Sequence, residues 1–67
     1  MVRINGEELV DEKIIGMSLN EYLEYANYKA SRVVVEKNFE IIHKEEFDNV
    51  FIEDGDSIEV LMFMGGG

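Results

Sequence analysis

Side chains that could do chemistry are few in this chain, and they direct attention to three places. His43 is the only histidine and there is no cysteine. No metal set and no Cys-His or Ser-His catalytic pair can be assembled around it. The stretch "EDGD" gathers Glu53, Asp54 and Asp56 around one glycine. It lacks the further spaced ligands of an EF-hand loop and reads as a tight turn with solvated carboxylates rather than a calcium site. The third place is the end, "LMFMGGG", where four apolar residues give way to Gly65, Gly66 and Gly67. Glycine loses more conformational freedom on folding than any other residue, so this run is a poor packing element and a good flexible tail.

Length and charge restrict what the rest can do. Sixty-seven residues make one domain, and at that size folding buries only about 60% of the surface that the unfolded chain exposes. A deep catalytic cleft is not expected. Fifteen Asp and Glu against six Lys and Arg give a formal net charge of -9. That is the wrong sign for nucleic acid or anionic lipid, and it suits a protein with a basic docking surface. The absence of cysteine fits a reducing compartment. "MVRINGEELV" has no apolar signal core, and no run reaches membrane-spanning length. A cytoplasmic location is expected.

The elements that must position the tail can be read along the chain. "VRING" and "EELV" predict a hairpin around Asn5-Gly6, with Val2 and Ile4 on one face and Arg3 on the other. In "SLNE", Ser18 and Glu21 form a capping box. Leu19, Tyr22, Leu23 and Ala26 then mark the buried face of a helix about three turns long. "RVVVEKNFEII" reads as two strands around Lys37-Asn38-Phe39, with Val33 and Val35 opposite in facing to Val34 and Glu36. "VFIEDGDSIEVLMFM" reads as a short strand, a turn and a last strand. The order β-β-α-β-β-β predicts an α+β roll, a mixed sheet of four to five strands with one main helix packed across one face.

Parity divides the last strand. If Ile58, Val60 and Met62 lie under the helix, Leu61 and Phe63 face outward beside Val34. An apolar patch on an acidic surface is either a docking site or the far wall of a small core. The runs "GEEL", "VDEK" and "HKEEF" read as solvated faces with a secondary capacity to steer a basic partner. Tyr22 is assigned to the core, and Tyr25 and Tyr28 to the helix flank.

The hairpin "VRING", the helix "LNEYL", the segment "NFEIIHKEEF", the turn "EDGDSIEVL" and the Gly-Gly terminus together resemble the ThiS and MoaD group of ubiquitin-like β-grasp proteins. The resemblance runs colinearly through the whole chain, and the length suits the ThiS branch better than the longer MoaD branch. Residues 1–64 would be the β-grasp domain and 65–67 its flexible tail. Some positions depart from the family pattern: His43 stands where proline is frequent, Phe39 where a turn glycine is usual, Phe47 where an aromatic, often tryptophan, is expected, and Gly65 where a variable residue precedes Gly-Gly.

What the resemblance implies is a protein substrate rather than an enzyme. A ubiquitin-activator-like (ThiF-like) adenylyltransferase would join the Gly67 carboxyl to AMP from ATP. Sulfur from a donor such as a cysteine desulfurase would then displace AMP to leave a thiocarboxylate. A ThiG-like thiazole synthase would take that sulfur for the thiazole ring of thiamine. No cofactor would be bound by the chain itself, and ATP would be used by the activating partner. A C-terminal carboxyl, with a pKa of roughly 3.3 to 3.7, is ionised near neutral pH and needs such activation. Gly65 and Gly66 would thread it: three extended residues reach on the order of 10 Å, and no Cβ obstructs approach to the carbonyl. Leu61, Phe63 and Val34 would form the docking patch. The alternatives are a MoaD-like subunit of molybdopterin synthase, a ubiquitin-like modifier, and a plain β-grasp interaction module without carrier chemistry.

Overall fold

Two asparagine-led turns shape the sheet. In the first, Asn5 and Gly6 both have positive φ, 51° and 85°, as the two central residues of a type I′ hairpin must. They join β1 (Val2–Ile4) to β2 (Glu7–Leu9) in the register Val2↔Leu9, Arg3↔Glu8 and Ile4↔Glu7. In the second, Asn38 and Phe39, at 53° and 70°, join β3 (Val33–Lys37) to β4 (Glu40–Ile42). β5 (Ser57–Met62) lies between the hairpins, parallel to β1 and antiparallel to β3. The sheet order is β2-β1-β5-β3-β4. The computed structural model describes residues 1–9 and 12–63. Val10, Asp11 and Met64, and the expected tail Gly65, Gly66 and Gly67, lie outside the described residues.

One α-helix, α1 (Leu19–Tyr25), packs on the sheet through Leu19, Tyr22 and Leu23. Its start is the expected capping box. Ser18 Oγ accepts from the Glu21 N–H at 3.1 Å, and Glu21 Oε1 accepts from the Ser18 N–H at 2.8 Å. The helix is seven residues long, two turns rather than the expected three. The reason is a C-terminal cap. Asn27 takes φ 65°, its N–H donates to Glu24 O at 3.1 Å, and the Tyr28 N–H donates to Leu23 O at 2.8 Å. Ala26, the last residue of the periodic face, thus becomes the cap, half-buried rather than core.

The core gathers Val2, Ile14, Leu19, Leu23, Val35, Phe47, Ile52 and Ile58 at its centre. Tyr22 belongs to it, as expected, while Tyr25 is exposed and Tyr28 half-buried at the helix flank. The strand expected at Val50–Ile52 shrinks to a single bridge, Ser18↔Phe51. Backbone bonds from Leu19 to Val50 O and from Ile52 to Met17 O tie this loop to the start of the helix instead.

Met62 corrects a second expectation. It shares the helix-side face with Ile58 and Val60, yet it is 62% exposed where Val60 is 6%. A two-turn helix is about 10 Å long and a six-residue strand about 20 Å. A helix of that length cannot cover the whole of β5, and Met62, at the last position of the strand, is the residue left exposed.

Candidate functional site

The sheet has one face under the helix and one open. Register places Val34 opposite Leu61, Glu36 opposite Glu59, and Ile41 opposite Glu36, all on the open face. Leu61 and Phe63 are 50% and 55% exposed, and Val34, directly opposite Leu61 on β3, is half-buried. The three residues anticipated as a docking patch therefore come together on one face. Ile41, 61% exposed, extends the patch and was not anticipated. Its alternation with Ile42 was visible in the sequence, but its place beside Glu36 depends on the hairpin register.

This patch adjoins the root of the tail. The Phe63 N–H donates to Arg32 O at 2.9 Å, one residue beyond the last residue of β5. From this anchored point four residues remain, Met64 to Gly67. Because β5 is the central strand, the tail leaves from the middle of the sheet.

Two side chains of the hairpin turns hold β5 in place. Asn5 Oδ1 accepts from the Val60 N–H at 2.8 Å, and Asn38 Oδ1 accepts from the Ser57 N–H at 2.9 Å. Asn38 Nδ2 also donates to Asp56 Oδ1 at 3.0 Å, while Asp56 Oδ2 accepts from the Glu53 N–H at 2.8 Å and lies 3.4 Å from Lys37 Nζ. Asp56 is consequently buried, at 7% exposure. The reading of "EDGD" as solvated carboxylates is corrected for this residue. Its oxygens are taken up by an amide, a backbone N–H and an ammonium.

Asp54 remains exposed and pairs with the amino group of Met1. That hydrogen bond, reinforced by the attraction of the opposite charges, lowers the Asp54 pKa from 3.8 and raises that of the amino group from 8.0. Among the described residues no group of three or more His, Cys, Asp or Glu could hold a metal ion, and His43 is exposed. A groove of about 740 Å³ is lined by Gly16, Lys37, Phe51 and Glu53, among others. Lys37 is at the opposite end of β3 from Val33, the residue paired with Met62. The groove is thus remote from Phe63, the last described residue.

A five-stranded mixed sheet grasping one helix, with the C-terminus issuing from its central strand, defines a β-grasp protein of the ubiquitin-like type. The family model of the ThiS family matches residues 2–67, and the chain belongs to that family. It is 36% identical over 67 residues to the sulfur carrier protein ThiS of Bacillus subtilis (strain 168), covering 100% of both chains. The crystal structure of the thiamine biosynthesis protein (ThiS) from Geobacter metallireducens is similar with a TM-score of 0.82 at 34% identity, over 98% of this chain and 97% of that one. A thiazole synthase of Paramagnetospirillum magneticum is 36% identical over 64 residues, which are 96% of this chain and 19% of that protein. Among the described residues no helix is long and apolar enough to cross a membrane.

Proposed function

We propose that the carboxyl carbon of Gly67 is the group on which this chain carries sulfur. The chain is a sulfur carrier protein of the ThiS family serving thiamine biosynthesis, and the observation that carries this reading is the family match, which runs through Gly67 itself. In the proposed cycle a carboxylate oxygen of Gly67 attacks the α-phosphorus of ATP in a ThiF-like adenylyltransferase, and pyrophosphate leaves. A persulfide sulfur, supplied by a donor such as a cysteine desulfurase, then adds to the carbonyl carbon and AMP leaves, and a thiol cleaves the resulting acyl disulfide, carrying off the donor sulfur as a disulfide and leaving the thiocarboxylate on Gly67. The chain contributes position, not acid-base groups. β5 fixes the tail root, Leu61, Phe63 and Val34 dock the body, and Gly65 and Gly66 let the carboxyl enter a site built by another protein.

A thiazole synthase is the proposed acceptor. Support comes from the Paramagnetospirillum magneticum thiazole synthase, in which a stretch similar to this chain is part of the same polypeptide. Such an arrangement places a carrier-like stretch and its acceptor chemistry at high effective concentration.

Intact-mass measurement after incubation with an activating enzyme, ATP and a sulfur donor tests the reading. One oxygen-to-sulfur exchange confined to the C-terminal residue is expected. Ligation to lysine would instead indicate a modifier, and an unchanged mass despite binding would indicate an interaction module. Sulfur transfer to a molybdopterin precursor rather than to a thiazole synthase would move the acceptor assignment to the MoaD branch.

A further inference from the structure

The open face carries an internal conflict. Glu36 and Glu59 are directly opposite one another across the β3–β5 pair, where Cβ atoms stand about 5 Å apart and like charges oppose strand pairing. Both are half-buried. Among the described residues neither side chain has a hydrogen-bond or ion-pair partner. Of the two cations on the strands, Lys37 lies on the helix-side face against Asp56, and Arg3 donates to Glu8 at 2.9 Å. The fold therefore bears the repulsion without an internal counter-charge. The pair is not isolated on the surface. Val34 and Leu61 are the next facing pair on this side of the two strands, and Ile41 adjoins Glu36 from β4.

We propose that Glu36 and Glu59 form the recognition point of the docking face, receiving one arginine side chain from the partner protein while Val34, Leu61 and Ile41 take an apolar surface around it. This rests on the carrier reading and names the chemistry of the partner surface. A guanidinium presents several N–H donors in a planar fork and is weakly hydrated, so it can bridge two facing carboxylates on a partly apolar surface better than an ammonium can. A second copy of this chain is a poor occupant, because each carries a formal charge of -9 and would set acidic face against acidic face. The face is continuous with the tail root at Phe63, so its occupant is the protein that also receives Gly67.

The test measures binding of the full-length chain to its purified ThiF-like adenylyltransferase and ThiG-like thiazole synthase by calorimetry at low and moderate salt. Glu36→Gln with Glu59→Gln is expected to weaken binding to at least one of them roughly tenfold or more and to flatten its salt dependence. The same pair of substitutions should raise the urea midpoint of the free chain, because the like-charge opposition is removed. A control pair on the other face, Glu7→Gln with Glu40→Gln, makes the same change in net charge and should leave affinity within about twofold. Equal weakening by both pairs, unchanged binding of the Glu36 and Glu59 variant, no binding of the parent to either partner, or dimerisation of the parent through this face in sedimentation would each overturn the proposal. Thiocarboxylation of the parent is scored separately by mass, so failure of the carrier reading and failure of the arginine assignment are told apart.

Discussion

Asn38 Nδ2 donates to Asp56 Oδ1 at 3.0 Å across 18 residues of sequence, and this bond couples the β3–β4 turn to the turn that launches β5. Asp56 is the more exacting member, since it also accepts from the Glu53 N–H and lies beside Lys37. Asp56→Ala would leave the Asn38 amide and the Glu53 N–H without this acceptor and would remove one partner of the Lys37 ammonium, which also donates to Phe51 O at 2.9 Å and lies 3.5 Å from Glu53 Oε2. A loss of about 1 to 3 kcal/mol is expected, read as a lower urea midpoint with an unchanged slope. A midpoint equal to the parent's would show that the network contributes nothing to stability.

Phe39 should behave in the opposite direction. It occupies φ 70° and is 81% exposed, so it has the backbone cost of a left-handed residue and little packing to offset it. For a non-glycine residue that cost is roughly 1 to 2 kcal/mol. Glycine removes it but gives back part of the gain through a freer unfolded chain. Phe39→Gly is therefore expected to stabilise by about 0.5 to 1 kcal/mol, and Phe39→Ala, which keeps its Cβ, by less. Destabilisation by the glycine variant would mean that the ring packs against something in solution.

The pairing of Met1 with Asp54 fixes a pH dependence. The folded pKa of Asp54 is lowered from 3.8, so its contribution is present above that value and is lost as pH falls through the folded pKa. The amino group is raised from 8.0, so its contribution is complete below that value and is lost as pH rises through the folded pKa. Both groups are exposed, and the direct readout is the Asp54 carboxyl titration followed by NMR. Acetylation of the amino group should move that titration up towards 3.8. An unmoved midpoint would rule out the pairing.

Gly66→Val tests the threading role of the tail. A branched side chain one residue before the reacting carboxyl should slow adenylation on the order of 100-fold by displacing it from the attack geometry. Urea stability of the chain should be unaffected. Adenylation at the parent's rate would sink the steric reading.

Much of this architecture is legible in short range. Asn5-Gly6 announces its hairpin, and Ser18 with Glu21 announces the helix start, because each signal lies within a few residues. The end of the helix is harder to see. Tyr25 and Ala26 continue the pattern, and only the left-handed Asn27 stops it. Asp56 could not be recognised as buried, because its partner Asn38 arrives from another hairpin. Met62 obeys the parity of its strand but not the reach of the helix above it. Parity alone marked Leu61 and Phe63, whereas the facing of Glu36 and Glu59 needed the β3–β5 register. The chemistry of Gly67 is legible only through the family resemblance, since a terminal carboxylate looks the same in any chain.

The central position of β5 has a mechanical consequence. A partner that draws on the C-terminus pulls along a strand bonded on both sides, parallel to β1 and antiparallel to β3. Its hydrogen bonds, together with the clamps from Asn5 and Asn38, resist in shear rather than opening one at a time. The body can thus be held, released and held again by its last few residues without the tension spreading into the fold.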